Sequence, residues 1–261
     1  MEKFQMRYSV DYQSLNPDFT VSFPRLMHYI QETSTRHTES TAHPMRWYAE
    51  NRKGWLVTNW SIRVFEYPKL RDNFIVKTYP IKFKGGIGDR GFEAYSETGD
   101  TILLAYSTWV YADLVNNKLT RPPEEIVSEY GQVFHEPTEK KMDFTRLNAE
   151  GSPYYLASSR EFIATRRDTD TYEHVNNVKY IEWAFDDIPN DIYQISRARE
   201  AKVDYKNQCR AGDIVLAEFY RHSGNPWSFV SVFKNVGGDQ SVFAVVYTLW
   251  DEKLKREGGG S

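Results

Sequence analysis

Phe23-Pro24-Arg25-Leu26-Met27-His28-Tyr29-Ile30-Gln31-Glu32-Thr33-Ser34-Thr35-Arg36-His37-Thr38-Glu39 is a stretch with a helical period. Leu26, Met27, Ile30 and, more weakly, Thr33 share one face, and Pro24 suits a first turn, where a backbone N–H has no intrahelical acceptor. Downstream the period changes to two. Apolar and polar residues alternate from Trp55 to Val64 and from Asn73 to Tyr79, and Gly85-Gly86-Ile87-Gly88 interrupts them before a further run at 91 to 97. Glu97-Thr98-Gly99-Asp100 then turns that run into the strand-like Thr101 to Tyr111, which reads as a hairpin. The unit is a helix followed by antiparallel strands.

The unit occurs twice. Asn177 to Asp187 carries a second helical pattern in Val178, Ile181, Trp183 and Ala184, and strands are expected at 200 to 206, 213 to 221, 227 to 236 and 240 to 250. Turns fall at Gly224-Asn225-Pro226 and Gly237-Gly238-Asp239. Asp72 lies 36 residues before Thr108, and Asp213 lies 35 before Thr248, as an internal duplication would give. The reading is an α+β chain of two related domains, 1–115 and 153–254, with a connection at 116–152 and a tail at 255–261. The connection holds Asn116-Asn117, Pro122-Pro123, Pro137 and a charged stretch at 139 to 143, and a short helix is expected at 123 to 130. Gly258-Gly259-Gly260-Ser261 resembles a flexible linker and carries no function.

The composition describes an ordinary globular protein. Charged residues make up 26%, apolar residues 40%, and the formal net charge is −3, which speaks against a disordered chain or a nucleic-acid-coating one. The 15% of aromatic residues favours strands or an apolar ligand channel. Cys209 is a lone cysteine, so no intrachain disulfide forms and a reducing compartment is expected. The opening residues lack a signal-peptide apolar run and no stretch is long enough to span a bilayer, so a cytoplasmic protein is expected. His28, His37, His43, His135 and His222 are dispersed without ligand spacing, and no metal or other cofactor is expected. Gly85-Gly86-Ile87-Gly88-Asp89 lacks the lysine and hydroxyl residue of a phosphate loop and reads as a turn. Arg63, Lys69, Arg71, Lys77, Lys82, Lys84 and Arg90 form a positive stretch that could attract a phosphorylated carrier or simply face solvent.

The segment from Asp168 to Tyr180 concentrates the chemistry. Asp170 and His174 straddle Thr171-Tyr172-Glu173, and Asn176 or Asn177 could cap the helix that follows. Free N–H groups at that helix start could face an acyl carbonyl and stabilise a tetrahedral oxyanion. A histidine near neutral pH accepts or donates a proton, and a neighbouring carboxylate can orient it, activate water or act as a nucleophile. From residue types alone, Asp170 as a turn cap and His174 as a surface hydrogen-bonder remains the competing reading. Gln208, beside Cys209, can donate and accept at once and so position water or substrate. A lone cysteine such as Cys209 is more often a small buried hydrophobe than a nucleophile.

At this point the chain resembles the acyl-acyl carrier protein thioesterases of plants and bacteria. Asp170-Thr171-Tyr172-Glu173-His174-Val175-Asn176-Asn177-Val178-Lys179-Tyr180-Ile181-Glu182-Trp183 is similar to that family's Asp-x-Asn-x-His-Val-Asn-Asn-x-x-Tyr-x-x-Trp segment. Leu26 to Thr33, Trp55 to Thr58 through Tyr67-Pro68, and Asp204 to Cys209 reinforce it, so the resemblance spans roughly residues 5 to 250. It implies tandem hotdog domains, each an antiparallel sheet wrapped around a long helix. It also implies hydrolysis of the thioester that joins a fatty acyl chain to the phosphopantetheine of acyl carrier protein, which would be the partner. Asp170 and His174 match catalytic positions, whereas Tyr172 replaces the family's asparagine and Gln208 its glutamate before the cysteine. The resemblance therefore makes Asp170, His174 and Gln208 the catalytic candidates, with Tyr172, Asn176 and Cys209 in support. It places the acyl pocket in the first domain, with Leu26, Met27, Ile30, Trp55, Val57 and Trp60 as candidate walls. Acyl-coenzyme A hydrolysis and noncatalytic acyl-thioester binding stay open as alternatives. No nucleic-acid module is apparent, and the assembly is left open, a homodimer included.

Overall fold

The computed structural model describes residues 3–116, 118–131, 151–237 and 241–253. In chain order the first half gives β1 (Phe4–Ser9), α1 (Phe23–Glu39), α2 (Met45–Glu50), β2 (Lys53–Val64), β3 (Asn73–Lys84), β4 (Ile87–Ser96), β5 (Thr101–Asp113), the short β6 (Lys118–Leu119) and α3 (Glu124–Glu129). The second half gives β7 (Tyr154–Ile163), α4 (Asn177–Asp186), α5 (Asn190–Ile195), β8 (Ser196–Tyr205), β9 (Ile214–His222), β10 (Ser228–Asn235) and β11 (Val242–Glu252). The strands form one 11-stranded sheet in the order β1-β3-β4-β5-β2-β8-β11-β10-β9-β7, with β6 paired to β5. All the strand pairs are antiparallel.

That order reads identically from either edge to the middle, so each half is one hotdog sheet around its own helix and the join is the β2–β8 ladder. The repeat extends to individual hydrogen bonds. Val21 N donates to Pro68 O at 2.8 Å in the first half, and Val175 N donates to Cys209 O at 2.8 Å in the second. Asn16 N donates to Thr20 O at 2.7 Å, and Asp170 N to His174 O at 2.8 Å. Phe19 and Glu173 sit at the same point of the two loops with φ of 62° and 61°, a left-handed conformation that non-glycine residues adopt at some cost. Ser22 and Asn176 then cap α1 and α4 through their side-chain oxygens. The separation that relates Pro68 to Cys209 also relates Ser61 to Lys202, and these two face each other in the β2–β8 ladder, on the internal two-fold axis. Asp72 and Asp213, matched in the sequence by spacing, take corresponding bonds from Val10 N and Ala164 N, each at 3.0 Å.

The core follows from the helical faces. Leu26, Met27 and Ile30 are buried under the first sheet with Phe74, Phe92 and Trp60, while Val178, Ile181 and Ala184 occupy the same role in the second, all in one continuous cluster. Each such side chain, fully withdrawn from water, contributes roughly 1.5–3 kcal/mol. The helix expected at 123 to 130 is α3. The strands expected between 55 and 111 and between 200 and 250 are present, β3 and β4 running longer than the alternation indicated. Not anticipated were β1 and β7, which are the two outer strands, and the short α2, β6 and α5. An edge strand has one partner, and β7 is exposed at most positions, so its sequence lacks the apolar repeat that marks a buried strand. The charged stretch at 139 to 143 and the tail at 255–261 lie outside the described residues. Among the described residues no helix is long and apolar enough to cross a membrane.

Candidate active site

The turn before α4 is held from three sides. Asp170 N donates to His174 O at 2.8 Å and Glu173 N to Asp170 O at 3.1 Å, which closes the loop. Tyr172 N donates to Asp170 Oδ1 at 2.8 Å, so the carboxylate also braces its own turn. Val175 N reaches Cys209 O and Asn176 N reaches Asp168 O at 2.7 Å, tying the loop to the end of β8 and to the preceding turn. Gln208, next to Cys209, is thereby brought to the same place. Asp170, Tyr172, His174, Asn176, Gln208 and Cys209 all line one cavity of about 1010 Å³.

The electrostatics separate these side chains. Burial lowers the His174 pKa, the Arg210 charge lowers it further, and Asp170 and Glu173 oppose them only in part. The imidazole is therefore neutral at neutral pH, and its Nε2 is buried without a hydrogen-bond partner among the described residues. Cys209 is buried, and its thiol is pushed up to about 12 by burial first and then by Asp213, so it is not a thiolate nucleophile. Its thiol lies 3.8 Å from Arg210 O. Tyr172 has its phenol raised by burial and by Asp170, and a Cβ added to Gly54 would stand 3.7 Å from its hydroxyl. Tyr172 thus reaches from the second half to the start of β2. Among the described residues no group of three or more His, Cys, Asp and Glu is placed to hold a metal ion.

The helix start is less open than the sequence indicated. Asn176 Oδ1 accepts from Val178 N at 2.9 Å, and Asn176 O accepts from Lys179 N at 2.9 Å. Asn177 N is left as the first-turn amide with no hydrogen bond among the described residues. Asn177 also lines the cavity with a buried Oδ1 that has no partner there. In the sequence Asn177 reads only as an alternative cap; the paired asparagines are the available signal, because one helix has use for one N-cap.

The wall residues need a correction. Trp55 and Val57 line the cavity. Leu26, Met27, Ile30 and Trp60 are each 0–1% exposed and do not line it. On α1 the face carrying Leu26, Met27 and Ile30 is pressed onto the sheet, and the adjacent face of Gln31, Ser34, Thr35 and Thr38 is turned to the cavity. Trp60 is closed in by Phe92 and Trp109, with ring centroids at 5.0 and 6.2 Å. The positive stretch is also not one surface: Arg90 lies on the cavity wall and Arg63 pairs with Glu200 at 2.9 Å.

The repeat provides a built-in comparison. Asn16, Thr20 and Tyr67 stand in the first half where Asp170, His174 and Gln208 stand in the second, as the paired backbone bonds of the two loops require. None of the three offers a carboxylate or an imidazole. A cavity of about 250 Å³ lies there, lined by Asn16, Asp18, Tyr67 and Arg197. Asp18 takes Arg197 at 2.9 Å and Lys253 at 3.1 Å. Burial would raise its carboxyl, but hydrogen bonds from Thr20, Arg197 and Lys253 hold it well below the usual range.

Comparison with known proteins gives the same two-part division. Residues 1–130 match the family model of the acyl-ACP thioesterase N-terminal domain, and residues 155–250 that of the C-terminal domain. The chain is 25% identical over 219 residues to a chloroplastic palmitoyl-acyl carrier protein thioesterase of Arabidopsis thaliana, covering 79% of this chain and 52% of that protein. It is 26% identical over 214 residues to a chloroplastic oleoyl-acyl carrier protein thioesterase 2 of the same plant, covering 75% and 57%. The chain therefore spans about half the length of the curated relatives it matches. In solved structures the fold recurs in an acyl-ACP thioesterase from Bacteroides thetaiotaomicron, with a TM-score of 0.77, 19% identity and 95% and 97% of the two chains covered. It recurs in the 12:0-ACP thioesterase from Umbellularia californica, with a TM-score of 0.79, 19% identity and 97% and 99% covered. With both domain models matched in order along one tandem hotdog chain, this protein belongs to the acyl-ACP thioesterase family.

Proposed function

We propose that the protein hydrolyses fatty acyl-acyl carrier protein thioesters to the free acid and the carrier thiol. The observation that carries this reading is the convergence of Asp170, His174 and Gln208 on one cavity that continues into the first half between α1 and β2. The neutral His174, with Nε2 unpaired, takes a proton from the attacking water and returns it to the departing thiolate. Asp170 and the exposed Gln208 amide orient that water, and the Asn177 N–H faces the developing oxyanion. Attack by the Asp170 carboxylate itself would instead pass through an acyl-enzyme anhydride, and isotopic oxygen found in the enzyme carboxyl after a single turnover in labelled water would reveal it.

The test is time-resolved release of free acid from matched acyl carrier protein and coenzyme A thioesters of several chain lengths, by the parent and by folded His174→Ala. Fast parental release from the carrier protein that falls strongly in the variant supports the reading. Preference for coenzyme A would move the assignment to an acyl-coenzyme A thioesterase. Tight binding with no release above background would make the protein a noncatalytic acyl-thioester binder.

A further inference from the structure

The first-half part of the cavity has an apolar wall of Trp55, Val57, Phe83 and Trp109 and, facing it, a polar one. Gln31, Ser34, Thr35 and Thr38 follow the i, i+3, i+4, i+7 spacing that puts them on one stripe of α1, and all four line the cavity. Gln31 Oε1 is buried there without a hydrogen-bond partner among the described residues. Tyr48, Tyr130 and Thr38 share a chain of hydroxyls, with Tyr48 and Tyr130 3.4 Å apart and Tyr130 3.2 Å from Thr38.

Arg90 stands in the same wall. In β4 it faces Ser107 of β5 and Pro80 of β3, and Ser107 faces Trp60 of β2, so its side chain belongs to the row that looks toward α1. Its Nη1 lies 3.1 Å from His37 Nδ1 and donates to Thr78 Oγ1 at 3.1 Å, and its guanidinium carbon lies 5.1 Å from the centre of the Tyr130 ring. Among the described residues, Nε and Nη2 make no hydrogen bond and no carboxylate pairs with the group. Other arginines whose charge is used for bracing have such a partner: Arg160 has Asp187 at 2.6 Å and Arg197 has Asp18 at 2.9 Å. His37 is buried and held neutral, so it accepts from Arg90 without cancelling its charge. A guanidinium keeps its proton at any physiological pH; Arg90 is half-buried, and a charge partly withdrawn from water without a counter-charge is unfavourable unless something else meets it.

We propose that the cavity is built for an acyl chain carrying a hydrogen-bond-accepting oxygen, a hydroxyl or a carboxylate, at the end remote from the thioester, with Arg90 as the group that receives it. This rests on the hydrolase reading for the thioester end and adds the substrate class. Arg90 belongs to β4 of the first half and the Asp170–His174 turn to the second, so the receiving group and the reacting groups stand on different parts of the one cavity wall. A plain alkyl chain would leave the free Arg90 N–H groups without an acceptor, which is how sites built for a polar group reject an analogue that lacks it.

The experiment compares plain alkyl, ω-hydroxy and ω-carboxy acyl chains of equal length in two forms. Pantetheine thioesters report turnover, and the corresponding non-hydrolysable amides report binding by calorimetry. At least one oxygenated chain is expected to exceed the plain chain by tenfold or more in kcat/KM and in affinity, and Arg90→Met is expected to bring that ratio close to one. The arm that gains identifies hydroxyl or carboxylate. Preference for the plain chain in the parent, or an unchanged ratio in a folded Arg90→Met, overturns the proposal; should that variant not fold, Arg90→Gln takes its place and the parental ratio alone still decides. Oxygenated amides that bind tightly while no thioester is cleaved would sink the hydrolase reading and leave this one standing. Cleavage with a plain-chain preference would do the reverse.

Discussion

His28 Nε2 lies 2.9 Å from Glu182 Oε1, and the two residues occupy the same position in the two copies of the repeat, six places beyond the Ser22 and Asn176 caps. They therefore meet on the internal axis, where α1 and α4 touch. The next counterparts are both cations: Lys179 Nζ reaches Glu182 at 2.6 Å, and Arg25 holds the matching place beside residue 28.

The axis makes an exchange testable. His28→Glu alone puts two carboxylates together and Glu182→His alone two imidazoles, whereas the double exchange restores the pair. Both side chains are about a third exposed, so the pair is worth under about 1 kcal/mol. Denaturant titration should show the double exchange more stable than either single one. Additive losses would mean that the two positions do not face each other.

His174→Ala should lower kcat by about 10²–10⁴-fold, the usual worth of a general base, while the melting temperature changes little. Because burial lowers the His174 pKa, the acid limb of the kcat/KM profile should fall below the ordinary imidazole value of about 6.5. A limb at or above that value would mean that another group sets the proton transfer.

Cys209 gives a prediction of the opposite kind. With its thiol pushed up to about 12, it should resist iodoacetamide at neutral pH, and Cys209→Ala should retain kcat within several-fold. Loss of activity to the level of His174→Ala would restore it as a catalytic group.

His37 contributes to acid sensitivity. Its folded pKa is lowered to about 3, by burial first and then by Arg90, against an unfolded value of about 6.5. Between those values the unfolded chain binds more protons, so the contribution is fully present above about 6.5 and is lost as pH falls toward 3. Urea unfolding of the parent should therefore weaken between pH 6.5 and 4.5, and His37→Gln should flatten that part of the curve. An equal slope in the variant would assign the effect elsewhere.

Much of the fold was legible because the long helices and inner strands carry clean periods. Leu26, Met27 and Ile30 in α1 and the alternation in β2 and β5 are dictated by burial on one face. The edge strands went unread: β7 is exposed at most positions, and β1 alternates over only six residues. The turn from Asp170 to His174 was legible as a motif, but its geometry depends on Cys209 O reaching Val175 N across the fold, a contact no local pattern encodes. The cavity wall was misread for a related reason. Periodicity identifies the apolar stripe of α1, and the cavity instead meets the next stripe, where Gln31 and Thr35 look like ordinary solvent-facing residues.

The Asp18–Arg197–Lys253 cluster has a structural use that can be measured. Asp18→Asn should cost about 1–3 kcal/mol, less than a fully buried pair because these side chains are about 30% exposed, and should leave kcat near the parental value. A large fall in kcat at unchanged stability would give the first-half cavity a role in turnover.

The two copies of the repeat that meet in the β2–β8 ladder belong to one polypeptide. An assembly of two identical chains must carry every substitution twice, once at each of its equivalent sites. Here an exchange such as histidine for threonine, or glutamine for tyrosine, alters one site and spares the other. Covalent linkage thus removes the obligation to symmetry: one copy can keep Asp170, His174 and Gln208 while the other changes independently.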